Sequence, residues 1–253
     1  MLDPVLLDIA TGLASGRGRP AVIGIAGAQG SGKTTLARAM AARLGGVAFS
    51  LDDVYLTRAE RLALAAEVHP LFAVRGPPGT HDLTLATETL TSLRQGRPTL
   101  LPRFDKLADD RGEPVLFAGT PEVIIIDGWC LGATPQDEAA LAEPVNALEW
   151  DDDRKRIWRT AANAALAGPY QAFFGKFDAI LHLAAPSFDA VLDWRCEQEA
   201  ELLGLPPVDL PEARRGELAR FIQHFERITR HMLAGGVNVE VTVPLAADRS
   251  LVA

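Results

Sequence analysis

Residues 21–35 read AVIGIAGAQGSGKTT, and this stretch decides the fold. The apolar run 21–26 has the length and composition of a buried strand, and a helical pattern follows over 36–44. Between them lies G-x-x-x-x-G-K-T, the pattern of a phosphate-binding loop set between a strand and a helix. The sequence therefore predicts that the chain binds a nucleoside triphosphate.

The chemistry of a phosphate-binding loop explains its residue types. Glycines let successive backbone N–H groups curl around an anionic phosphate, and the helix N-terminus adds the positive end of its dipole. Lys33 is expected to reach the β- and γ-phosphates and act in catalysis, and the Thr34 hydroxyl is expected to ligate magnesium. An accidental glycine-rich turn is the alternative, and it does not account for the complete pattern. The predicted nucleotide-binding residues are Gly27, Ala28, Gln29, Gly30, Ser31, Gly32, Lys33, Thr34 and Thr35.

Composition restricts what is built around this loop. A chain of 253 residues, with 48% hydrophobic and 23% charged residues, is expected to form one soluble domain over 1–253. The net charge of −8 gives no sign of a nucleic-acid or membrane partner. The N-terminal residues do not read as a signal peptide or membrane span, and Cys130 and Cys196 lack metal-ligand spacing. We therefore expect free thiols and a cytoplasmic location; the oligomeric state stays open, with a monomer favoured.

Helical and strand patterns alternate along the rest of the chain. The predicted helices cover 2–15, 36–44, 57–68, 83–95, 151–174, 188–203 and 211–233. The predicted strands cover 21–26, 47–51, 122–127, 179–184 and 237–243. Segments 69–82 and 99–110 are expected to be irregular. The alternation predicts an α/β fold of the P-loop NTPase type, with a doubly wound, mainly parallel sheet and helices on both faces.

Two of these strands end in acids. Asp127 ends the apolar run EVIIID, where a phosphate-loop protein carries the acid that holds magnesium directly or through water. A solvated strand-end acid is the alternative. Asp52 and Asp53 end the second strand, at the edge where open α/β sheets bind ligands. A carboxylate there can accept a proton from an attacking hydroxyl, although strand-end Asp residues also form turns. The base role is favoured for Asp52 and left open for Asp53.

Seven further motifs carry a family resemblance. They are SLDDVYLT (50–57), HPLFAVRGPPGTHDL (69–83), LPRFDK (101–106), DGWCLG (127–132), NALE (146–149), APSFDAVLDWRCEQE (185–199) and FIQHFERITRHML (221–233). In this combination the chain resembles the D-glycerate 3-kinases, which belong to the phosphoribulokinase/uridine kinase group. The match runs from residue 21 almost to the C-terminus, with a departure at Asp127, where the family favours Glu. The resemblance implies ATP- and Mg²⁺-dependent transfer of the γ-phosphoryl group to the 3-hydroxyl of D-glycerate.

An acceptor with a carboxylate needs cationic side chains in its site. Asp82 could bind an acceptor hydroxyl or cap the helix that starts at Leu83, and both interpretations stay open. Any single Arg in these segments could instead be a solvated surface charge. The predicted acceptor-binding residues are Asp53, Arg75, His81, Asp82, Arg103 and Lys106.

The helix over 188–203 follows the fourth strand, where related kinases carry a mobile lid. We expect a helical lid over about 187–207, and Pro206 with its neighbours gives it a pliable end. Arg195 could then neutralise charge on the transferring phosphoryl group. An i,i+4 ion pair with Glu199 is the alternative.

The helix over 211–233 carries two stripes at helical spacing. The apolar stripe is predicted to enter the core. The basic stripe is interpreted first as a solvated face and second as a surface that faces substrate or nucleotide. Its members are Arg220, His224, Arg227 and His231.

Two other functions fit the same motifs. One is a phosphate-loop kinase for another small hydroxylated acceptor, such as a nucleoside, pantothenate or a sugar. The other is a nucleotide-binding regulatory ATPase that passes no phosphoryl group on. The SLDD and GPPGTHD motifs favour a transferase, because a switch protein has no need of an acceptor pocket.

Overall fold

The computed structural model describes residues 3–18 and 20–252, and helices and strands alternate along most of it. The longer elements are α1 Pro4–Gly12, β1 Ala21–Gly27, α2 Lys33–Leu44, β2 Val47–Ser50, α3 Arg58–Glu67, α4 Leu83–Arg94, β3 Thr99–Leu101, β4 Phe104–Asp105, β5 Asp110–Arg111, β6 Val115–Phe117, β7 Val123–Gly128, α5 Ala147–Asp152, α6 Ile157–Ala165, α7 Gln171–Phe174, β8 Ala179–Ala184, α8 Phe188–Leu202, α9 Glu212–Leu233 and β9 Val241–Pro244. Short 3-10 turns cover Leu51–Val54, Pro70–Ala73 and Pro207–Asp209, and a π turn covers Leu166–Tyr170.

Five strands form one parallel sheet in the order β2–β7–β1–β8–β9. Every residue of the central strand β1 is buried, as expected for a parallel strand covered on both faces. In the register of the sheet, Asp127 of β7 lies between Ile25 of β1 and Ser50 of β2. The carboxyl ends of these three strands therefore bring the phosphate loop and the strand-end acids to one edge.

The core has a layer on each face of the sheet. Ile23 of β1 packs with Leu36 and Met40 of α2, whereas the neighbouring Val22 packs in the layer that contains Leu90 of α4. Alternate residues of a strand point to opposite faces, so one strand feeds both layers. The predicted doubly wound α/β fold is confirmed.

Some predicted boundaries differ from the structure. The first helix starts at Pro4, because Asp3 caps it by accepting a hydrogen bond from the Val5 N–H at 2.8 Å. The predicted start at Leu2 lies outside the described residues. The last strand begins at Val241 and not at residue 237. Val237 instead forms an isolated antiparallel bridge with Ala133.

The prediction of an irregular segment over 99–110 is wrong. Strands β3 and β6 form one antiparallel ribbon, and β4 and β5 form another. Strands of two or three residues are too short to show a readable alternation. In the β4–β5 turn, the Asp105 carboxylate accepts hydrogen bonds from the Leu107 and Ala108 N–H groups at 2.8 and 3.0 Å, which places Lys106 at the tip of this hairpin.

The solvated-face interpretation of the basic stripe on α9 is wrong for Arg227 and His224, which are 6% and 7% exposed. Arg227 pairs with Glu149 of α5 at 2.6 Å, and both side chains are buried. Its guanidinium also donates to the carbonyl oxygens of Ala140 and Glu143 at 2.8 and 2.6 Å. Sequence periodicity on one helix cannot show that another segment covers its polar face.

No helix within the described ranges is both long enough and apolar enough to span a membrane.

Candidate active site

An open cleft of about 380 Å³ lies at the carboxyl edge of the sheet. Its walls come from the phosphate loop, the turn after β2, the β4–β5 hairpin, and helices α8 and α9. The residues that line it are Gln29, Gly30, Lys33, Thr34, Asp52, Tyr55, Arg75, Lys106, Arg195, Gln198, Glu201, Leu202, Phe221 and Phe225. The three side chains predicted to act in catalysis, Lys33, Asp52 and Arg195, all line this cleft.

The phosphate loop has the backbone that its sequence predicts. Gly30 has a φ of +79°, and a Cβ there would lie 2.5 Å from Cβ of Trp194, so a side chain is excluded on both counts. The buried Gln29 Oε1 and Ser31 Oγ atoms have no hydrogen-bond partner among the described residues. Because buried polar atoms are normally paired, these atoms fit a loop built to receive a polar ligand such as a phosphate.

Lys33 begins α2 and projects from the phosphate loop toward two acids. Its ammonium donates to the Ala28 carbonyl at 3.4 Å. Burial lowers the pKa of Lys33, and the charges of Asp52 and Asp127 oppose that shift. Phosphate oxygens nearby would favour the charged form further.

A hydroxyl and a carboxylate meet behind the loop. The Thr34 hydroxyl donates to Asp127 Oδ2 at 2.7 Å, and Ser50 Oγ lies 3.3 Å from the same oxygen. Burial raises the pKa of the Asp127 carboxyl, with Lys33 opposing the shift. Mg²⁺ is held by a few protein oxygens together with water and substrate phosphates, and no group of three or more His, Cys, Asp or Glu side chains converges in the described part of the chain. The oxygens of Thr34 and Asp127 fit such an ion.

Asp52 lies in the 3-10 turn after β2, and both of its carboxylate oxygens are engaged. The Tyr55 hydroxyl donates to Oδ1 at 2.7 Å and the Lys106 ammonium to Oδ2 at 3.0 Å. Burial alone would raise the pKa of Asp52. The charges of Lys106 and Lys33 and these hydrogen bonds outweigh burial and hold that pKa well below its usual range. Asp52 is therefore ionised at neutral pH.

Of the predicted acceptor-binding residues, Arg75 and Lys106 line the cleft. Arg75 pairs with Asp109, and its guanidinium carbon lies 5.6 Å from the centre of the Phe104 ring. A guanidinium has five donors, so the remaining ones are available to an anion. Lys106 is 61% exposed and is held by Asp52 alone among the ion pairs of the described chain.

Asp53 and Arg103 are not among the residues that line the cleft, and their assignment to acceptor binding stays a prediction. Asp53 Oδ2 accepts the Ser50 N–H at 3.0 Å and closes a capping box around the turn after β2. It also pairs with Arg103 at 3.2 Å. Both charges are therefore used to fix this turn, which is the turn-forming alternative for Asp53.

Asp82 is a helix cap in the structure, which is one of its two predicted interpretations; its assignment to acceptor binding stays a prediction. Oδ1 accepts the Leu85 N–H at 2.9 Å at the start of α4. Oδ2 pairs with Arg111 at 2.8 Å. The carboxylate stabilises the loop that precedes α4 and does not face the cleft.

His81 does not supply the cation expected of it. Its ring is 6% exposed, lies 4.7 Å from the Tyr55 ring, and is hydrogen-bonded to the Tyr170 hydroxyl. Burial lowers the pKa of His81 to about 4. The ring is therefore neutral at pH 7 and packs behind Tyr55, a role that sequence alone could not distinguish from a charged one.

Arg195 lines the cleft, and its side chain forms the i,i+4 ion pair with Glu199 that was the alternative interpretation. Its Nη2 lies 2.6 Å from Oε2 of Glu199, which also pairs with Arg214 at 2.5 Å. Gln198 and Leu202 stand three and seven positions after Arg195, so helical spacing could have placed them on the same wall. Tyr55 was missed as well, although it follows Asp52 by only three positions along the turn.

Comparisons with known proteins agree on a kinase. No protein-family model matches the chain. The chain is 33% identical over 226 residues to the uncharacterized kinase mug58 of Schizosaccharomyces pombe, covering 82% of this chain and 79% of that protein. It is 32% identical over 201 residues to the chloroplastic D-glycerate 3-kinase of Arabidopsis thaliana, covering 71% of this chain and 41% of that protein.

A solved structure extends the likeness of fold to the whole chain. The D-glycerate 3-kinase of Cryptococcus neoformans superposes with a TM-score of 0.78 over 99% of both chains, at 23% sequence identity. At this identity the superposition shows a shared P-loop kinase fold.

Proposed function

Because the chain belongs to the P-loop kinase family that includes the Schizosaccharomyces pombe kinase, we propose that it transfers the γ-phosphoryl group of ATP to the 3-hydroxyl of D-glycerate. One observation carries this proposal. The Asp52 carboxylate lies in the same cleft as the phosphate loop, beside the cations Lys106 and Arg75. A phosphate site, a hydroxyl acceptor group and cations for a carboxylate together suit a small anionic alcohol. The relationship to the Arabidopsis thaliana D-glycerate 3-kinase supports the same substrate.

In this proposal the phosphate-loop N–H groups and Lys33 hold the β- and γ-phosphates. Asp52 accepts a hydrogen bond from the 3-hydroxyl and aims its oxygen at the γ-phosphorus. The transition state of phosphoryl transfer is loose, so positioning matters more than base strength. An ionised carboxylate with a low pKa suits this work, because it stays an acceptor over the whole neutral range and takes the proton once the new P–O bond forms.

Thr34 and Asp127 are the residues proposed to hold magnesium. When bound, the ion would supply positive charge that offsets the negative charge developing on the phosphates during transfer. The 2.7 Å contact between Thr34 and Asp127 supports this pairing, because it brings a hydroxyl oxygen and a carboxylate oxygen together at the start of α2.

The acceptor carboxylate is proposed to bind Arg75 and Lys106. Arg75 is held in place by Asp109 and Phe104, so it can act as the fixed half of the site. Lys106 is on a hairpin tip and is mostly exposed, so it can move from Asp52 to the substrate. The segment over about 187–207, with Arg195, remains the proposed lid.

A panel of acceptors tests the substrate. The purified protein would receive ATP and Mg²⁺ with D-glycerate, L-glycerate, uridine, pantothenate or a sugar, and ADP release would be followed. D-Glycerate should give the highest kcat/KM, and phosphorus NMR should show the 3-phosphate. Faster turnover of uridine or pantothenate would replace glycerate by that acceptor. ADP release that no acceptor stimulates would support the regulatory ATPase instead.

A further inference from the structure

A turn after β9 contacts the phosphate loop through one side chain, Arg249. Its Nε donates to the Gly30 carbonyl oxygen at 2.7 Å. Its Nη2 pairs with Glu197 of α8 at 2.5 Å. One guanidinium thus touches both the loop that would hold phosphate and the helix that forms the opposite wall of the cleft.

The turn that carries Arg249 is itself well fixed. The Arg249 N–H donates to the Ala246 carbonyl, and the Ala246 N–H donates to the Ser250 carbonyl, both at 2.9 Å. The Asp248 carboxylate accepts hydrogen bonds from the Ser250 N–H and hydroxyl at 3.0 and 2.6 Å. A bridge between Leu245 and Leu251 closes the turn. Arg249 therefore projects from an anchored support.

Trp194 of α8 joins the same contact. The Arg249 guanidinium carbon lies 5.2 Å from the centre of its ring, and the indole N–H donates to the Ala247 carbonyl at 2.7 Å. Trp194 also packs against Gly30, as the 2.5 Å approach to a Cβ at that position shows. The phosphate loop, α8 and the turn over 245–251 therefore meet around Arg249.

The hydrogen bond from Arg249 matters because, without it, the peptide group between Gly30 and Ser31 could rotate at low cost. Gly30 and Gly32 have φ values of +79° and +85°, and glycine adopts many conformations at low cost. The C=O and N–H of a trans peptide point in opposite directions. By holding the Gly30 carbonyl outward, Arg249 keeps the Ser31 N–H on the inner side of the loop, where it now donates to Ala28 at 3.2 Å.

We propose that Arg249 is a positioning residue of the nucleotide site, which orients the phosphate loop through the Gly30 carbonyl and ties that loop to α8 through Glu197. A planar guanidinium can serve both partners at once, whereas a lysine ammonium cannot match this fork. The inference rests on the kinase site and not on the identity of the acceptor.

Binding of ADP, measured by calorimetry without any acceptor, tests this inference. Arg249→Ala should raise the Kd for ADP about tenfold or more, because a charge-assisted hydrogen bond to the loop is lost. Arg249→Lys should give an intermediate Kd, and Glu197→Gln should raise it less than Arg249→Ala does. Arg215→Ala is the matched control, since it removes another arginine ion pair of α8, with Asp193 at 2.6 Å, away from the phosphate loop. Its Kd should equal that of the parent.

Steady-state kinetics separate positioning from loss of structure. Arg249→Ala should raise the KM for ATP by the factor seen for ADP, while the KM for the acceptor stays within about twofold. A Kd for ADP within about twofold of the parent would overturn the inference, and so would equal rises in both KM values. A protein that rejects glycerate but shows the ADP result would refute the proposed substrate and leave the role of Arg249 standing.

Discussion

At the scale of single residues, Tyr55 acts with Lys106 and Lys33 to keep Asp52 ionised. Its hydroxyl donates 2.7 Å from Oδ1, and this bond is one of the causes that keep the Asp52 pKa low despite burial. Tyr55→Phe removes the bond and leaves the ring that packs on His81. We expect a lower kcat with little change in the KM for ATP.

The pH profile of the Tyr55→Phe variant carries the sharper expectation. A carboxylate with a depressed pKa stays ionised as the pH falls, and its function is lost only when the pH reaches that pKa. Loss of the Tyr55 hydroxyl should raise the pKa of Asp52 and therefore move the acidic limb of the kcat profile to higher pH. Superimposable acidic limbs for Tyr55→Phe and the parent would remove Tyr55 from this role.

At this scale, sequence reasoning reaches furthest where one local motif contains all the chemistry. Lys33, Thr34, Asp52 and Asp127 could be chosen from loop and strand-end patterns, and the structure brings them together. It failed for His81, because residue type alone does not show whether a histidine ring is buried and neutral or exposed and charged. It also could not find Arg249, which is separated from Gly30 by most of the chain.

At the scale of elements, the joint between α5 and α9 depends on the buried pair of Arg227 and Glu149. Arg227→Met leaves the Glu149 carboxylate buried without its partner, which typically costs about 3–5 kcal/mol. Urea unfolding should therefore show a free energy of unfolding lower by about that amount.

Two further variants check the cause of this loss. Arg230→Ala removes an i,i+4 pair with Glu226 on the same helix, but Arg230 is 51% exposed, so the change should stay within about 0.5 kcal/mol. Replacing Arg227 and Glu149 together by Met should recover most of the loss, because no unpaired charge remains. A double variant less stable than Arg227→Met would contradict this account.

Element boundaries were predictable where apolar runs are long. The strand over 179–184 is found with the predicted bounds, since five of its six residues are buried and all but His182 are apolar. The ribbons β3–β6 and β4–β5 were not predictable, because each strand has only two or three residues. This failure matters for function, since Lys106 is on the tip of β4–β5.

At the scale of the whole molecule, three buried histidines make stability depend on pH. His81, His182 and His224 are 6%, 3% and 7% exposed, and burial lowers the pKa of each to about 4. In the unfolded chain a histidine takes up its proton near pH 6.5. Between about pH 6.5 and 4 the unfolded state therefore binds more protons, and acidification favours unfolding.

The free energy of unfolding should fall on acidification by up to about 1.4 kcal/mol per pH unit for each of these histidines. Urea titrations at pH 7 and pH 5 would measure the slope. His182→Leu removes one titrating ring from β8 and should make the slope shallower. An unchanged slope would show that His182 does not contribute to it.

The global topology followed from sequence to a large extent. Alternating strands and helices around a phosphate loop allow few arrangements, and the doubly wound parallel sheet was among them. What the sequence could not show is which distant segments meet. The cover of α9 by α5 and the contact of the turn over 245–251 with the phosphate loop both depend on packing across the finished sheet.

The two hydrogen bonds that Asp52 accepts have a consequence for ATP hydrolysis in the absence of an acceptor. Tyr55 and Lys106 each donate to one carboxylate oxygen of Asp52, so a water molecule that enters the cleft must compete with both of them for this acceptor. An acidic alcohol can draw Lys106 away, whereas neutral water cannot. The Lys106→Ala variant should therefore hydrolyse more ATP for each phosphoryl group that it transfers. The measurement is the ratio of inorganic phosphate released to acceptor phosphorylated, which should rise. In the parent protein, the Lys106 ammonium proposed to bind the acceptor carboxylate would therefore also suppress ATP hydrolysis in the absence of acceptor.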